Sequence, residues 1–172
     1  MHSILPNPDY DPNDNTTSSE AIFLLEGEVR SSTARVANDI AIIEGRDVTN
    51  TLRKVLWVYH DLDVYTDRFG STLFGSSDRS IDTSKPIVTP KKFLKKATLP
   101  DDGQRTQVSL NIGISTKDII EYHTERDAID FDTFMTGAFA YYGLLATHLY
   151  NGEDIYLRKL FSKKLERFVV PE

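Results

Sequence analysis

The chain has 172 residues, of which 40% are apolar, and its formal net charge at pH 7 is −6. This length and apolar content suit one domain with a single core and leave little room for two. The absence of cysteine excludes disulfides, thiolate nucleophiles and zinc–thiolate sites. The acidic charge argues against a surface that binds nucleic acid throughout, because phosphate binding needs clustered Lys and Arg. No apolar run reaches the roughly 18 residues of a membrane span, and the start lacks a secretory signal, so we expect a cytosolic protein.

The first segment, residues 1–20, has a composition that cannot build a core. It is rich in Pro, Asn and Asp and contains the polar run Thr16 to Ser19. We therefore divide the chain into a flexible amino-terminal arm, 1–20, and a folded domain, 21–172. A polar arm attached to a body without a recognisable catalytic constellation is typical of proteins that bind their own neighbours, which favours assembly over catalysis.

In the first part of the domain, apolar periodicity predicts strands and a helix. Alternation of period two indicates a strand with Phe23, Leu25 and Val29 on one face. Apolar residues at helical spacing follow Asp47, and either Asp47 or Thr49 can cap the first amide groups of that helix. The predicted elements are a strand at Ala21–Arg30, a turn at Ser31–Thr33, a returning strand at Val36–Ile43 and a helix at Asp47–Asp61.

The second part of the domain is predicted in the same way. We expect a short strand at Phe69–Gly75, a surface loop at Ser76–Thr89, an alternating strand at Gln107–Ser115, a charged connector at Glu121–Asp130 and a helix at Asp132–Tyr150. The pattern of Ile155–Val170 fits a helix or a strand equally. The predicted fold class is α+β, a single domain in which a twisted, mostly antiparallel sheet is packed by two main helices.

Catalytic chemistry has no clear signature in the sequence. The four histidines, His2, His60, His123 and His148, are scattered, and no pair has the helical spacing of a zinc site. Solvent-exposed or helix-capping roles are therefore expected for them. The Gly70–Ser77 segment lacks the lysine of a phosphate-binding loop. We expect no enzymatic activity, no cofactor and no metal, although a small hydrolase or transferase stays open as a third class.

Two basic clusters stand out against the acidic composition. In the first, lysines flank Phe93 and Leu94; this arrangement can bind an anionic membrane surface or, without sequence preference, RNA. The alternative is that Phe93 and Leu94 face the core and the lysines are merely solvated. The clusters are Lys91, Lys92, Phe93, Lys95 and Lys96, and, near the carboxyl terminus, Arg158, Lys159, Lys163, Lys164 and Arg167.

The order of these segments resembles that of rhabdovirus matrix proteins, and of the shorter plant-infecting, cytorhabdovirus-like type in particular. Ile22–Ser31 looks like the family's first long strand, and a helix follows it. Val108–Ile114 is similar to the late alternating strand, and Asp132–Leu144 resembles the closing helix with its aromatic–glycine–aliphatic step. These are similarities of shape and order rather than diagnostic motifs.

The resemblance implies a structural role. Matrix proteins form non-covalent homo-oligomers or polymers, link the viral nucleoprotein–RNA complex to the anionic inner face of the envelope membrane, and drive budding. The protein would then lie in the virion beneath the envelope, and in the host cytoplasm and at the inner membrane face. The family also implies a self-association arm that docks on the next molecule, here Ile4, Leu5, Pro6, Pro8 and Tyr10.

The chain departs from the family pattern in three respects. Its amino terminus is not strongly basic, it has no Pro-Pro-x-Tyr budding motif, and it is acidic overall. Any membrane contact is therefore expected at the two basic clusters rather than at the arm. The alternative interpretation is a monomeric, β-barrel-like ligand- or protein-binding domain in which the arm has no role.

Overall fold

A computed structural model describes residues 21–77, 80–83 and 85–172, so the predicted arm lies outside the described residues. The predicted α+β class is confirmed. In chain order the elements are β1 Ile22–Arg30, α1 Ser31–Glu44, α2 Val48–Phe69, β2 Thr72–Ser77, β3 Ser80–Ile81, α3 Pro90–Lys96, β4 Arg105–Gly113, α4 Ile114–Asp127, α5 Phe131–Leu149, β5 Asp154–Arg158 and β6 Glu166–Phe168.

The two strands with the clearest alternation pair with each other. β1 and β4 form an antiparallel two-stranded ribbon, with Ile22 opposite Gly113 and Arg30 opposite Arg105. Every second side chain of each strand turns towards the helices, and the intervening ones are exposed, as the alternation predicts. Gly27 lies on the inner face, where an added Cβ would contact the Phe131 ring at 2.9 Å. The ribbon is therefore closely packed against the start of α5.

The remaining strands form a second antiparallel sheet in the order β3-β2-β5-β6. The segment Ile155–Val170, which the sequence left open, thus contributes two short strands, and the predicted loop Ser76–Thr89 includes β3. An isolated bridge pairs Leu73 with Ile87. The sheet structure is divided into two, because β1 and β4 pair with each other and not with β2.

The predicted turn at Ser31–Thr33 and strand at Val36–Ile43 are wrong, because α1 occupies both. The contiguous apolar residues that suggested a strand include Ile42 and Ile43, which are exposed. Helical spacing is instead present in the residues that α1 buries, which are Thr33, Ala37, Ile40 and Ala41. Gly45 ends the helix in the left-handed region at a φ of 65°.

The predicted charged connector at Glu121–Asp130 is also wrong, because most of it belongs to α4. That helix begins at Ile114, which the sequence placed in the preceding strand. Its buried residues, Thr116, Ile119, Ile120 and His123, have helical spacing, but two of them are polar. Because these two buried residues are polar, the sequence did not show the apolar pattern of a helix.

The core lies mainly between α2 and α5, the two helices predicted from apolar periodicity. α2 runs eight residues beyond the predicted end at Asp61, to Phe69, and the Asp47 carboxylate caps it by accepting a hydrogen bond from the Asn50 backbone N–H at 2.7 Å. The largest fully buried side chains include Tyr59 and Leu62 of α2 and Phe134, Tyr141 and Leu145 of α5. In the described part of the chain, no helix is long and apolar enough to cross a bilayer.

Candidate interaction surface at the end of helix α2

The two basic clusters, which are far apart in sequence, both contact the last turn of α2. On one side, the Lys91 ammonium lies 3.3 Å from the Asp67 carboxylate. On the other, the Leu160 backbone N–H donates to the Phe69 carbonyl at 3.2 Å, and the Lys159 ammonium lies 4.8 Å from the centre of the Phe69 ring. The carboxyl end of a helix carries partial negative charge and so favours nearby cations. We call this region, α3 together with the β5–β6 hairpin, the basic surface.

The first cluster forms helix α3, which begins at Pro90. The Phe93 ring lies 5.4 Å from that of Tyr141, and Leu94 packs against Gly137, both on α5. Of the two interpretations left open by the sequence, these contacts favour the one in which Phe93 and Leu94 face the core. The lysines Lys92, Lys95 and Lys96 are exposed and have no ion pair within the described residues.

The second cluster is distributed along the β5–β6 hairpin. Arg158 lies over the Phe74 ring at 4.9 Å. Lys159 is 3.6 Å from Glu166, and Arg167 is 2.8 Å from Asp154. Such exposed pairs neutralise charge but contribute little to stability. Lys163 and Lys164 are exposed, and neither has an ion pair with any described residue; they are the free cations of the hairpin.

Sequence reasoning missed two apolar residues in this hairpin, Leu160 and Phe161. Leu160 is 61% exposed and Phe161 is 99% exposed. The sequence assigns them no role, because the pattern of Ile155–Val170 fits a helix or a strand equally. A signal was present, because lysines flank this apolar pair as they flank Phe93 and Leu94.

A cleft of about 440 Å³ borders the basic surface. Its walls are the last turn of α2, the turn that leads into β2, the segment 86–89 and the first residues of α3, including Lys91 and Lys92. Ser71 lines the cleft and is only 5% exposed, and its hydroxyl has no hydrogen-bond partner among the described residues. A buried hydroxyl without a partner is uncommon, but its oxygen is closed to solvent, so a ligand in the cleft reaches it only after a local rearrangement.

The described residues also contain a buried polar cluster between α2 and α4. His60 Nδ1 and His123 Nε2 are 3.0 Å apart, and both rings are buried. The His123 ring stacks on Phe134 with the ring centres 4.9 Å apart. Arg126 donates a hydrogen bond to the fully buried carboxylate of Asp63. The two histidines that the sequence left scattered are therefore hydrogen-bonded to each other in the core.

Burial explains the protonation of this cluster. It lowers the pKa of His60 to about 4, with Arg126 contributing in the same direction. Burial also lowers the pKa of His123 to about 3, and His60 and Arg126 add to that effect. Both imidazoles are thus neutral at pH 7, and one donates the hydrogen bond that the other accepts. His123 Nδ1 is 3.8 Å from the Asp127 carboxylate, which is too long for a hydrogen bond.

The expectation of exposed or capping histidines is wrong for His60 and His123. The other described histidine, His148, contacts the Glu153 carboxylate and is half-buried. His2 lies outside the described residues. No group of three or more His, Asp or Glu side chains in the described ranges is arranged to hold a metal ion. The histidine pair is closed to solvent, so its geometry suits a structural role better than contact with a substrate.

No protein-family model, no curated protein and no solved structure matches this chain. The function is therefore argued from the chain's own residues and contacts.

Proposed function

We propose that this chain is a structural viral matrix protein of the rhabdovirus type, without enzymatic activity. In this role it self-associates non-covalently and links the ribonucleoprotein to the inner face of the envelope membrane. The observation that supports the proposal best is the meeting of both basic clusters at the carboxyl end of α2. Most of the described lysines without an ion pair belong to these two clusters, and such a concentration on an acidic protein orients it on an anionic surface.

The strength of that contact follows from the number of unpaired lysines. Each lysine near an anionic leaflet contributes about 1 kcal/mol. The lysines without ion pairs in the basic surface are Lys92, Lys95, Lys96, Lys163 and Lys164. When all five face one leaflet they supply at most about 5 kcal/mol at low salt, and the attraction falls as salt screens it. The contact is therefore reversible and peripheral, and the same lysines can also meet RNA phosphates of the nucleocapsid.

Self-association is assigned to the arm residues Ile4, Leu5, Pro6, Pro8 and Tyr10, which lie outside the described residues. The described domain has apolar surface for such an arm or for a second copy, because Ile22 and Leu24 of β1 are both exposed. A protein that polymerises beneath a membrane needs only a weak lipid contact in each copy, since many copies bind together.

Vesicle flotation tests the membrane role. The vesicles contain phosphatidylcholine with about 30% phosphatidylserine, or phosphatidylcholine alone. Lys95→Glu and Lys163→Glu each reverse one free charge, so each is expected to weaken binding to the anionic vesicles by tenfold or more. The matched control is Arg35→Glu, an exposed cation on α1, which is expected to bind as the unmodified chain does. Equal binding by all four proteins would contradict the proposed surface.

The cleft beside α3 favours a second candidate, a small-ligand-binding domain. Its supporting observation is the cleft of about 440 Å³, which Lys91 and Lys92 line. This candidate predicts a saturable rise in melting temperature when inorganic phosphate or citrate is titrated into the protein. The rise should be lost in Lys92→Glu, and the oligomeric state should not depend on the arm.

A further inference from the structure

The most exposed large apolar residue of the described chain is at the tip of the β5–β6 hairpin. Phe161 is 99% exposed, and its neighbour Leu160 is 61% exposed. Removing a phenylalanine side chain from water is strongly favourable, so a ring that contacts nothing gives no benefit to folding. Isolated apolar residues are common on protein surfaces, but two adjacent ones, one of them almost wholly exposed, indicate a surface that contacts a partner.

The chain holds this tip in a fixed conformation. The Leu160 N–H bonds to the Phe69 carbonyl at 3.2 Å, and the Ser162 N–H bonds to the Lys159 carbonyl at 3.0 Å. Phe161 itself has a φ of 62°, a left-handed conformation that is rare for a bulky residue. The hydrogen bonds on both sides keep the ring directed outwards instead of letting it fold back on the domain.

The close packing beneath the tip supports the same conclusion. A Cβ added at Gly70, the residue that ends α2, would lie 3.2 Å from the Leu160 Cβ. Glycine therefore allows the hairpin to approach the end of the helix closely. The tip is attached to α2, which forms much of the buried core.

The charged residues near the tip indicate which kind of partner covers it. Lys159, Lys163 and Lys164 flank the apolar pair along the chain, and the last two have no ion pair within the described residues. Apolar side chains flanked by lysines match the headgroup region of an anionic bilayer, where the apolar groups enter and the ammonium groups meet the phosphates. A protein partner fits less well, since Phe and Leu together cover far less than the roughly 800 Å² per partner of a stable protein interface.

We propose that Leu160 and Phe161 insert into the headgroup region of an anionic membrane and anchor the basic surface there. The inference rests on the proposed membrane role and adds an apolar contact to the electrostatic one. Within the basic surface, Phe93 and Leu94 cannot provide this anchor, because they pack against α5. The apolar contact should persist at salt concentrations that weaken the lysine contacts.

The first test compares Phe161→Ser with the same kind of apolar-to-polar change at another exposed position. The control is Ile42→Ser, because Ile42 is 78% exposed on α1. The end of α1 is paired with α2 through Glu44 and Lys54, whereas the tip contacts Phe69, roughly 22 Å further along that helix. In flotation with phosphatidylserine-containing vesicles, Phe161→Ser is expected to bind about tenfold more weakly, also at high salt, and Ile42→Ser is expected to bind normally.

A fluorescence reporter measures insertion directly. The chain has one tryptophan, Trp57, so a Trp57→Phe background is free of indole emission. Phe161→Trp in that background is expected to shift its emission to shorter wavelength on the vesicles and to be quenched by brominated lipid. Ile42→Trp in the same background is the control and should show neither change. Far-ultraviolet circular dichroism confirms that each variant is folded.

The possible outcomes distinguish failure of the proposed insertion from failure of the proposed membrane role. If the unmodified chain binds anionic vesicles and Phe161→Ser binds equally well without quenching at position 161, the insertion is overturned and the membrane role stands. If the unmodified chain does not bind the vesicles, both are overturned. If Phe161→Ser leaves vesicle binding intact but reduces self-association, the tip is a contact between copies, which also overturns insertion.

Discussion

Acidification should destabilise this protein through the buried histidine pair. The ordinary pKa of a histidine is 6.5. In the folded chain, burial lowers the pKa of His60 to about 4 and that of His123 to about 3. Below pH 6.5 the unfolded chain therefore binds protons that the folded chain cannot accept. Stability is fully present above pH 6.5 and falls with pH until the folded-state values are reached.

The size of the effect follows from these values. Between pH 8 and pH 5, each histidine costs about 2 kcal/mol, because at pH 5 it is almost fully protonated in the unfolded chain alone. Asp61 acts in the opposite direction, since burial raises its pKa to about 6 and the folded chain takes up a proton there. The proton uptake by Asp61 offsets about 1 kcal/mol of this loss, and burial raises the pKa of Asp63 as well, which acts in the same direction. The expected net loss is therefore at most about 3 kcal/mol, a large part of the stability of an ordinary domain.

Urea unfolding at pH 8, 7, 6 and 5 measures this loss. The control is the double variant His60→Gln, His123→Gln, in which the amides keep hydrogen-bonding capacity but do not titrate. Its unfolding free energy should stay constant or rise by about 1 kcal/mol as the pH falls, because Asp61 remains. Equal stability of the unmodified chain at pH 8 and pH 5, or the same fall in the double variant, would refute the reasoning.

Three further substitutions have expected effects on the unfolding free energy, measured by urea unfolding at pH 8. Asp47→Ala removes the carboxylate that caps α2 through the Asn50 N–H and should cost about 1 kcal/mol, whereas Asp47→Ser should restore most of it. Gly137→Val should cost about 1 to 3 kcal/mol, because its side chain would displace Leu94 and loosen α3, and an unchanged value would contradict the packing described. Phe161→Gly should instead stabilise the domain by up to about 1 kcal/mol, because glycine adopts a φ of 62° without strain; a clear loss would show that Phe161 has a packing role.

The elements that the sequence predicted correctly are those in which apolar residues are buried and polar residues are mostly exposed. β1 and β4 have apolar side chains inward and polar ones mostly outward, and α2 and α5 have apolar stripes at helical spacing. In α1 and α4, some of the buried residues are polar, so the apolar pattern did not predict these helices. Thr33 is buried because its hydroxyl lies 2.7 Å from that of Thr136, a residue 103 positions away. His123 is buried because it contacts His60 across 63 positions.

The candidate surface also depends on contacts between residues that are far apart in the sequence. The clusters of lysines are visible in the sequence, but their meeting depends on contacts at the end of α2 that only the folded chain brings together, such as the Leu160 to Phe69 hydrogen bond. The same is true of the apolar residues. The sequence left open whether Phe93 faces the core, and it packs on Tyr141, whereas Phe161, to which the sequence assigned no role, is exposed.

Self-association tests the proposed matrix role most directly. The measurement is sedimentation velocity over a range of protein concentrations, at low and high salt, on the full chain and on a chain lacking residues 1–18. A matrix protein is expected to form large species whose amount rises with concentration and which disappear when the arm is removed. Superimposable monomer boundaries for both chains at every concentration would contradict the proposal and favour a monomeric ligand-binding domain.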